Sequence, residues 1–549
     1  MSKIFILQGS EKMTNIKKKI YYNGKIFTSN SENYFADMMI VDGEKISWIG
    51  QEENYDKKKI NTDKYQKLDL NGKRIIPGFI DPHMHAIYLA RDASKIACLP
   101  PNINSIEEIK ERINKKKKEL NKGEWIEGWG YDEGKLKEGR SPNRYDLDEV
   151  AKDYPVVITR TCNHIAVANS KALEILGIDE NTPEPGENQI DKDENGKLTG
   201  IFREKAMMLL NSSMRCNSLE EDAEILANYS ENLFAHGITT ISDSMAETKP
   251  VDYYEMYQRA IDRGLKQRAI LYYKWDDLKD GFSIDKSKKD LSSQVHIGGV
   301  KVLADGSVSG KTAWVKPSYL GEKDNFGLKT TTKEELLDAA QYAKENNLQL
   351  VVHAMGEQAI DLVVNTFYKK EDWLDDRPSI RVEHAAMPTQ NALKKAAEGN
   401  IAFVSQPIFI YAEIESYLNN LGNERTKKNY PYKTILEEGI KLAFSSDAPA
   451  TAWADPVDPF TAIKSAVTKK AYDGTDTGQD EKINLETAVR LYTKEGGEIT
   501  GIPDIGQLKE GYKADFLVLD RDIFKIKKDK IDEVNVEKTY MNGELVYRK

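Results

Sequence analysis

The chain has 549 residues, 31% of them charged, and a net charge of −10 spread along its length. That length suits one large domain plus a smaller one, and the dispersed charge argues against a nucleic-acid partner. The mean hydropathy of −0.60 and the lack of a long apolar stretch argue against a membrane span. Three cysteines without CxxC spacing, and an N-terminus with too short an apolar region for a signal peptide, predict a reduced, cytoplasmic protein.

Short alternating strands occur at both ends of the chain. YYNGKIF (21–27) and MIVDGEKISWIG (39–50) surround Asn-Gly and Asp-Gly turns, and ADFLVLD (514–520) and YMNGELVY (540–547) repeat the pattern. Neither end has enough strands for its own core. We therefore expect residues 13–76 and 505–549 to form one composite β-sandwich, preceded by a loose extension over residues 1–12. Two unrelated flaps are the alternative, but they would leave several apolar strands uncovered.

Residues 77–504 change to a strand-then-helix pattern. Residues 218–237 begin with a Ser218–Glu221 capping box, and residues 331–347 begin similarly with Thr332 and Glu335. Eight strands with intervening helices predict an α/β fold, a (β/α)8 TIM-like barrel. The apolar strand segments are 77–85, 237–244, 267–273, 299–306, 348–355, 380–386, 401–407 and 441–447.

The connection between the first two strands is about 150 residues long, far beyond an ordinary βα linker. It contains strands and helices of its own, including EWIEGWGYD (124–132) and PVVITRTCNHIAVANSKALEILG (155–177). Because it follows the C-terminal end of a strand, we expect residues 87–217 to form a cap subdomain over the barrel mouth.

Scarce histidines cluster at the ends of the predicted strands. Of seven histidines in the chain, His83, His85, His353 and His384 fall at or near the ends of strands one, five and six. Asp447 ends strand eight in SSDAP, and strand four carries Lys301 in GVKVLADG. Imidazole and carboxylate are natural ligands of zinc and similar metals, so the pattern indicates a metal site. For His353 and His384 taken singly, a hydrogen-bonded core role is the alternative, and for Lys301 it is an ion pair with Asp305.

These residues, with the motifs PGFIDPHMH, GGVKVLADGS, VVHAMG, RVEHA, FSSDAP and GQLKEGYKADFLVLD, resemble the amidohydrolase superfamily. More narrowly, the chain is similar to the amidohydrolase-3 family, which includes exoenzyme-regulatory-protein-like hydrolases and N-substituted formamide deformylase. The resemblance implies a pair of divalent metal ions, expected to be zinc, with a single ion as the alternative. His83, His85 and Asp447 would bind the first ion, and His353 and His384 the second. Lys301 would bridge both ions as a carbamate formed with CO2.

The resemblance also implies hydrolysis of a non-peptide, amide-type C–N bond in a small N-acyl or N-formyl amine, by a metal-activated hydroxide. Asp447 would carry the proton to the departing nitrogen. A mononuclear aminohydrolase that deaminates a heterocycle is one alternative, and a non-catalytic ligand-binding relative is another. The expected partner is a small-molecule substrate, and a homodimer is left open. His164, Asp305, Trp129 and Tyr131 are weaker candidates for substrate contact, and ordinary packing or hydrogen bonding explains them as well.

Overall fold

The computed structural model describes residues 18–32, 34–55, 65–93, 95–161, 165–185, 189–211 and 217–549. Strands from both ends of the chain form two sheets around one hydrophobic core that includes Tyr21, Ile75 and Phe516. One sheet has the strand order Lys45–Gly50, Met38–Asp42, Lys18–Tyr22, Gln66–Asp69. The other has the order Glu544–Arg548, Val536–Met541, Phe516–Leu519, Arg74–Pro77, Lys25–Phe27, Phe35–Ala36.

The second sheet joins the two ends of the chain directly. Leu517 pairs with Ile76 in an antiparallel ladder. Beside this junction, Arg268 of the barrel donates to Asp515 at 2.5 Å, and both side chains are buried. The sheet therefore depends on strands separated by more than 400 positions, although the domain boundaries 13–76, 77–504 and 505–549 remain predictions.

Parallel strands in sequence order form the barrel, and eight of them lie in the described part of the chain. The predicted (β/α)8 fold is thereby confirmed. The strands are β1 (Phe79–Met84), β2 (Ile238–Ala246), β3 (Arg268–Lys274), β4 (Val295–Leu303), β5 (Gln349–Ala354), β6 (Ile380–His384), β7 (Ala402–Ser405) and β8 (Leu442–Phe444).

The seam between β8 and β1 is closed beyond the end of β8. Asp447 N donates to His83 O at 2.8 Å, and His85 N donates to Ala448 O at 2.9 Å. The buried carboxylate of Asp81 accepts a hydrogen bond from Ser446 N at 3.2 Å. The seam thus aligns the residues after β8 with those at the end of β1.

Helices begin where the capping pattern predicts. Ser218 accepts Glu221 N at 3.3 Å ahead of helix Leu219–Ala235, and Thr332 accepts Glu335 N at 3.1 Å ahead of Lys333–Glu345. The other barrel-layer helices of seven or more residues are Ala86–Asp92, Tyr253–Asp262, Glu357–Phe367, Gln390–Glu398, Ile414–Leu421, Pro459–Thr468, Leu485–Leu491 and Lys494–Thr500. Shorter ones are Trp275–Leu278, Pro407–Ala412, Asn423–Thr426 and Tyr432–Glu437. No helix within the described ranges is long and apolar enough to cross a membrane.

The insertion after β1 has its own sheet and its own core. Its described strands follow the order Ile190–Lys192, Leu198–Arg203, Ile165–Ala168, Val156–Arg160, Ile126–Tyr131, Ile96–Ala97. Helices Ile106–Lys116, Arg144–Ala151, Ser170–Leu176 and Met207–Asn211 accompany it. Lys135 donates its ammonium to Ala412 O in the segment after β7. The insertion therefore contacts the C-terminal side of the barrel, where β-strand ends and following loops meet.

Candidate metal centre

Three of the predicted ligands converge at the end of the β1–β8 seam. Metal-binding atoms of His83, His85 and Asp447 all lie within 4.8 Å of one another. Asp447 Oδ1 is 2.9 Å from His85 Nε2 and 3.3 Å from His83 Nε2. His83 and Asp447 are buried, and His85 is partly buried. His83 lies on β1, and His85 follows the last residue of that strand and precedes helix Ala86–Asp92, so the two imidazoles come to one place at the strand end.

His83 is held on both sides of its ring. Its Nδ1 contacts the carboxylate of Glu383, and its Nε2 lies 3.4 Å from Lys301 Nζ. An ionised carboxylate only accepts hydrogen bonds, so His83 Nδ1 carries the proton and Nε2 presents its lone pair toward the site. Lys301 therefore lies beside the atom that would bind a metal. The structure does not pair Lys301 with Asp305, the alternative that the sequence left open.

His384 also presents one ring nitrogen to the site. Its Nδ1 donates to Gln406 Oε1 at 2.8 Å, and Gln406 is oriented by its own bond to Ser445 Oγ at 2.8 Å. The ring stacks on Phe409 with 5.8 Å between centroids. His384 Nε2 is consequently left as a buried acceptor without a partner among the described residues.

His353 lies next to His384, with ring centroids 4.3 Å apart. Its Nε2 donates to Gly306 O at 3.0 Å and is 3.3 Å from Asp305 Oδ1. The structure thus brings all six predicted ligands into one cluster, and in this arrangement Nδ1 is the nitrogen that His353 can offer to a metal.

The residues fit a divalent metal. Within the described chain, His384 Nε2 is a buried polar atom without a hydrogen-bond partner, and Asp447 Oδ1 faces His83 Nε2 and His85 Nε2 without a hydrogen bond to either. Such atoms are costly to bury unless something satisfies them. Imidazole nitrogens and a carboxylate form a typical ligand set for zinc or a similar first-row ion.

Burial and charge shift the protonation of the cluster in a consistent way. Burial alone would raise the pKa of Asp447, but His83 and His85 outweigh it and hold that pKa well below its usual value. Burial lowers the pKa of Lys301 to about 8, against the opposing pull of Glu383 and Asp447. The low pKa keeps Asp447 ionised, and the ionised carboxylate is the form that binds a cation.

Two site residues occupy a backbone conformation that most side chains avoid. The φ angles are 71° at His384 and 53° at Asp447. Positive φ is uncommon outside glycine, although Asp and Asn adopt it more readily than most residues. The turn at Asp447 lets its N–H reach His83 O while its carboxylate faces the histidines.

The weaker substrate candidates have different surroundings. Asp305 is buried, and its carboxylate accepts the backbone N–H groups of Trp314, Met355 and Gly356 at 2.8–3.0 Å, so it ties the loop after β4 to the loop after β5. Tyr131 is fully buried in the core of the insertion and offers no surface to a substrate. Trp129 is partly buried on the same strand. His164 lies outside the described residues.

Several residues that shape the site were not predicted from the sequence. Glu383 contacts His83, and Arg381 donates to Glu383 at 2.5 Å. Asp81 accepts His83 N at 3.2 Å as well as Ser446 N. Asp243 on β2 is buried and accepts Tyr257 OH at 2.8 Å. The sequence did carry a signal for Arg381 and Glu383, because these two charged residues alternate with the apolar residues of the strand IRVEH.

Comparisons with known proteins find similarity over nearly the whole chain. The amidohydrolase family profile matches residues 66–547. The chain is 28% identical to the putative amidohydrolase YtcJ of Bacillus subtilis (strain 168), covering 97% of this chain and 100% of that protein. It is 27% identical to an N-substituted formamide deformylase of Arthrobacter pascens, covering 98% and 99%. The crystal structure of an uncharacterized metal-dependent hydrolase from Pyrococcus horikoshii OT3 superposes with a TM-score of 0.72 at 27% identity, covering 93% and 99%.

Proposed function

The chain belongs to the amidohydrolase family, and on that premise we propose that it hydrolyses an amide-type C–N bond in a small N-acyl or N-formyl amine. The observation that carries the proposal is the convergence of His83, His85 and Asp447 within 4.8 Å at the end of the barrel seam. The similarity to a deformylase of N-substituted formamides over nearly the full length favours N-formyl amines within this class.

Asp447 is the catalytic residue in this proposal. A divalent metal, when bound, acts as a Lewis acid that lowers the pKa of water and polarises a carbonyl. The ionised carboxylate of Asp447 accepts the proton of the attacking water and delivers it to the departing nitrogen. An amine leaves readily only when it is protonated, so a base that becomes an acid suits C–N cleavage.

The remaining cluster residues complete the metal site in this proposal. His83, His85 and Asp447 would hold the first ion, and His384 and His353 would hold a second. Lys301 would take part only as a carbamate, since an ammonium has no lone pair to share. Burial lowers the pKa of Lys301 to about 8 and so increases the fraction of neutral amine, the form that reacts with CO2.

One observation favours a second candidate, a mononuclear aminohydrolase. Within the described residues, the ligand atoms that converge most closely are those of His83, His85 and Asp447, and neither His353 nor His384 belongs to that group. A single ion and an unmodified Lys301 suit that arrangement. Such an enzyme would release ammonia from an amino-heterocycle instead of cleaving an amide.

Metal analysis followed by product analysis tests the proposal. Protein purified without chelators is analysed for metal by mass spectrometry and then incubated with N-formyl amines, N-acyl amines and amino-heterocycles. The expected result is about two ions per chain and release of a carboxylate and an amine. Ammonia release with one ion per chain would favour the aminohydrolase, and no hydrolysis of any amide by metal-replete protein would overturn the proposal.

A further inference from the structure

A chain of buried charged groups lies behind the metal-binding histidines. Arg381 and Glu383 alternate along β6, and neither side chain is exposed. Arg381 Nε donates a hydrogen bond to Glu383 Oε1 at 2.5 Å. The other carboxylate oxygen, Oε2, accepts a hydrogen bond from His83 Nδ1. Arg381 thus fixes the Glu383 carboxylate through one oxygen, and the other oxygen fixes the His83 imidazole.

Arg381 is itself fixed from three directions. Its Nη2 donates to Pro82 O at 2.8 Å, directly before His83, and its Nη1 donates to Tyr272 OH at 3.2 Å. The guanidinium lies 4.7 Å from the centroid of the Tyr272 ring. The ring fits inside the barrel because position 299 is glycine, where a Cβ would lie 2.6 Å from it. Arg381 therefore joins β6 to β1 and β3.

Stability alone does not account for this arrangement. The interior of such a barrel is usually filled with branched apolar side chains, and a buried ion pair often stabilises a fold no better than apolar residues of the same volume. Here both ends of the ion pair contact the segment that carries His83: Arg381 through Pro82 O and Glu383 through the ring. The feature that the pair determines is the position and tautomer of one imidazole.

We propose that Glu383 is a positioning residue for the metal centre. Anchored by Arg381, its carboxylate keeps the proton of His83 on Nδ1, so that Nε2 always presents a lone pair to the metal. A carboxylate behind a ligating imidazole also raises the basicity of that ligand. The inference rests on the proposed metal-dependent function, and it concerns metal affinity rather than the identity of the substrate.

Metal affinity of Glu383→Gln is the first test. Glutamine keeps the shape but has one acceptor oxygen, for which Arg381 and His83 must then compete. We expect the Kd for zinc, measured by competition with a chromophoric chelator, to rise about 10–100-fold while circular dichroism shows a folded protein. The Co2+-substituted variant should show a changed visible absorption spectrum. Asp222→Asn is the matched control, because it changes a buried carboxylate that pairs with Arg91 and none of the groups that hold His83. Its Kd should stay within about threefold of the wild-type value.

A wild-type measurement covers the case in which Glu383→Gln does not fold. Nuclear magnetic resonance of the 15N-histidine-labelled, zinc-loaded protein should show His83 protonated at Nδ1, with His83→Asn used for assignment. Protonation at Nε2, or an unchanged Kd in a folded Glu383→Gln, overturns the inference. Because these readouts need no substrate, a failure to find amide hydrolysis would count against the proposed function and leave this inference standing.

Discussion

Replacing Asp447 by Asn tests the chemical role of this residue while keeping its contribution to the fold. The φ of 53° at this position is one that Asn adopts readily, and the backbone bond from residue 447 to His83 O does not involve the side chain. The carboxamide has nearly the size of the carboxylate. We therefore expect the metal-free variant to remain folded, with a circular dichroism spectrum like that of the wild type.

The effect on turnover should be large. The substitution removes the anion that faces His83 and His85, which in the proposed mechanism is also the group that accepts and returns the proton. Loss of a positioned acid–base group alone costs about 10²–10⁴ in rate, so we expect kcat to fall at least about 10²-fold. The assay follows amine release from the best substrate of the screen, at saturating metal, with metal content measured in the same samples.

Asp455→Asn is the matched control for this prediction. Asp455 lies on the same segment after β8, is half-exposed, and contacts His236 instead of the proposed metal ligands. Its turnover should stay within about twofold of the wild type. A folded, metal-loaded Asp447→Asn variant with near-wild-type kcat would refute the role assigned to Asp447.

Three further predictions test other parts of the molecule. Lys301→Ala should lose at least one metal ion and most activity, with partial recovery by added short carboxylic acids that replace the carbamate oxygens; full metal content in this variant would contradict the bridge. Deleting residues 505–549 should give insoluble protein, because it exposes the apolar strand Arg74–Pro77 and leaves Arg268 without its buried partner; a soluble truncation that melts like the full chain would contradict the composite sandwich. The pKa of His236 is raised to about 9, because Asp455 outweighs the opposing effect of burial. The folded state therefore favours protonated His236. The contribution of this residue to the free energy of unfolding is complete below pH 6.5 and is lost as the pH rises through 9. Because Asp455 is half-exposed, we expect a loss of only about 1 kcal/mol in urea unfolding, and His236→Gln should show a smaller decline than the wild type over the same pH range.

Local patterns in the sequence were sufficient to predict the barrel and most residues of the candidate cluster. Strand and helix periodicities are short-range properties, so segments such as 348–355 and the capping box at Ser218 could be predicted from neighbouring residues. The strand-end placement of His83 and His85 was equally local. Since all parallel strands of a barrel end on one face, residues at separate strand ends were expected to meet there.

The tertiary structure decided which atoms of that cluster face one another. Glu383 and His83 are 300 positions apart, and Asp81 reaches Ser446 across the barrel seam. Such contacts depend on strand stagger and side-chain rotamers, which spacing within one strand does not specify. The same applies to Tyr131, whose residue type suits either a pocket or a core and whose complete burial follows from the packing of the inserted sheet. Sequence periodicity thus placed the histidines on one face of the barrel, while the hydrogen bonds that orient each ring depend on residues brought together only when the barrel closes.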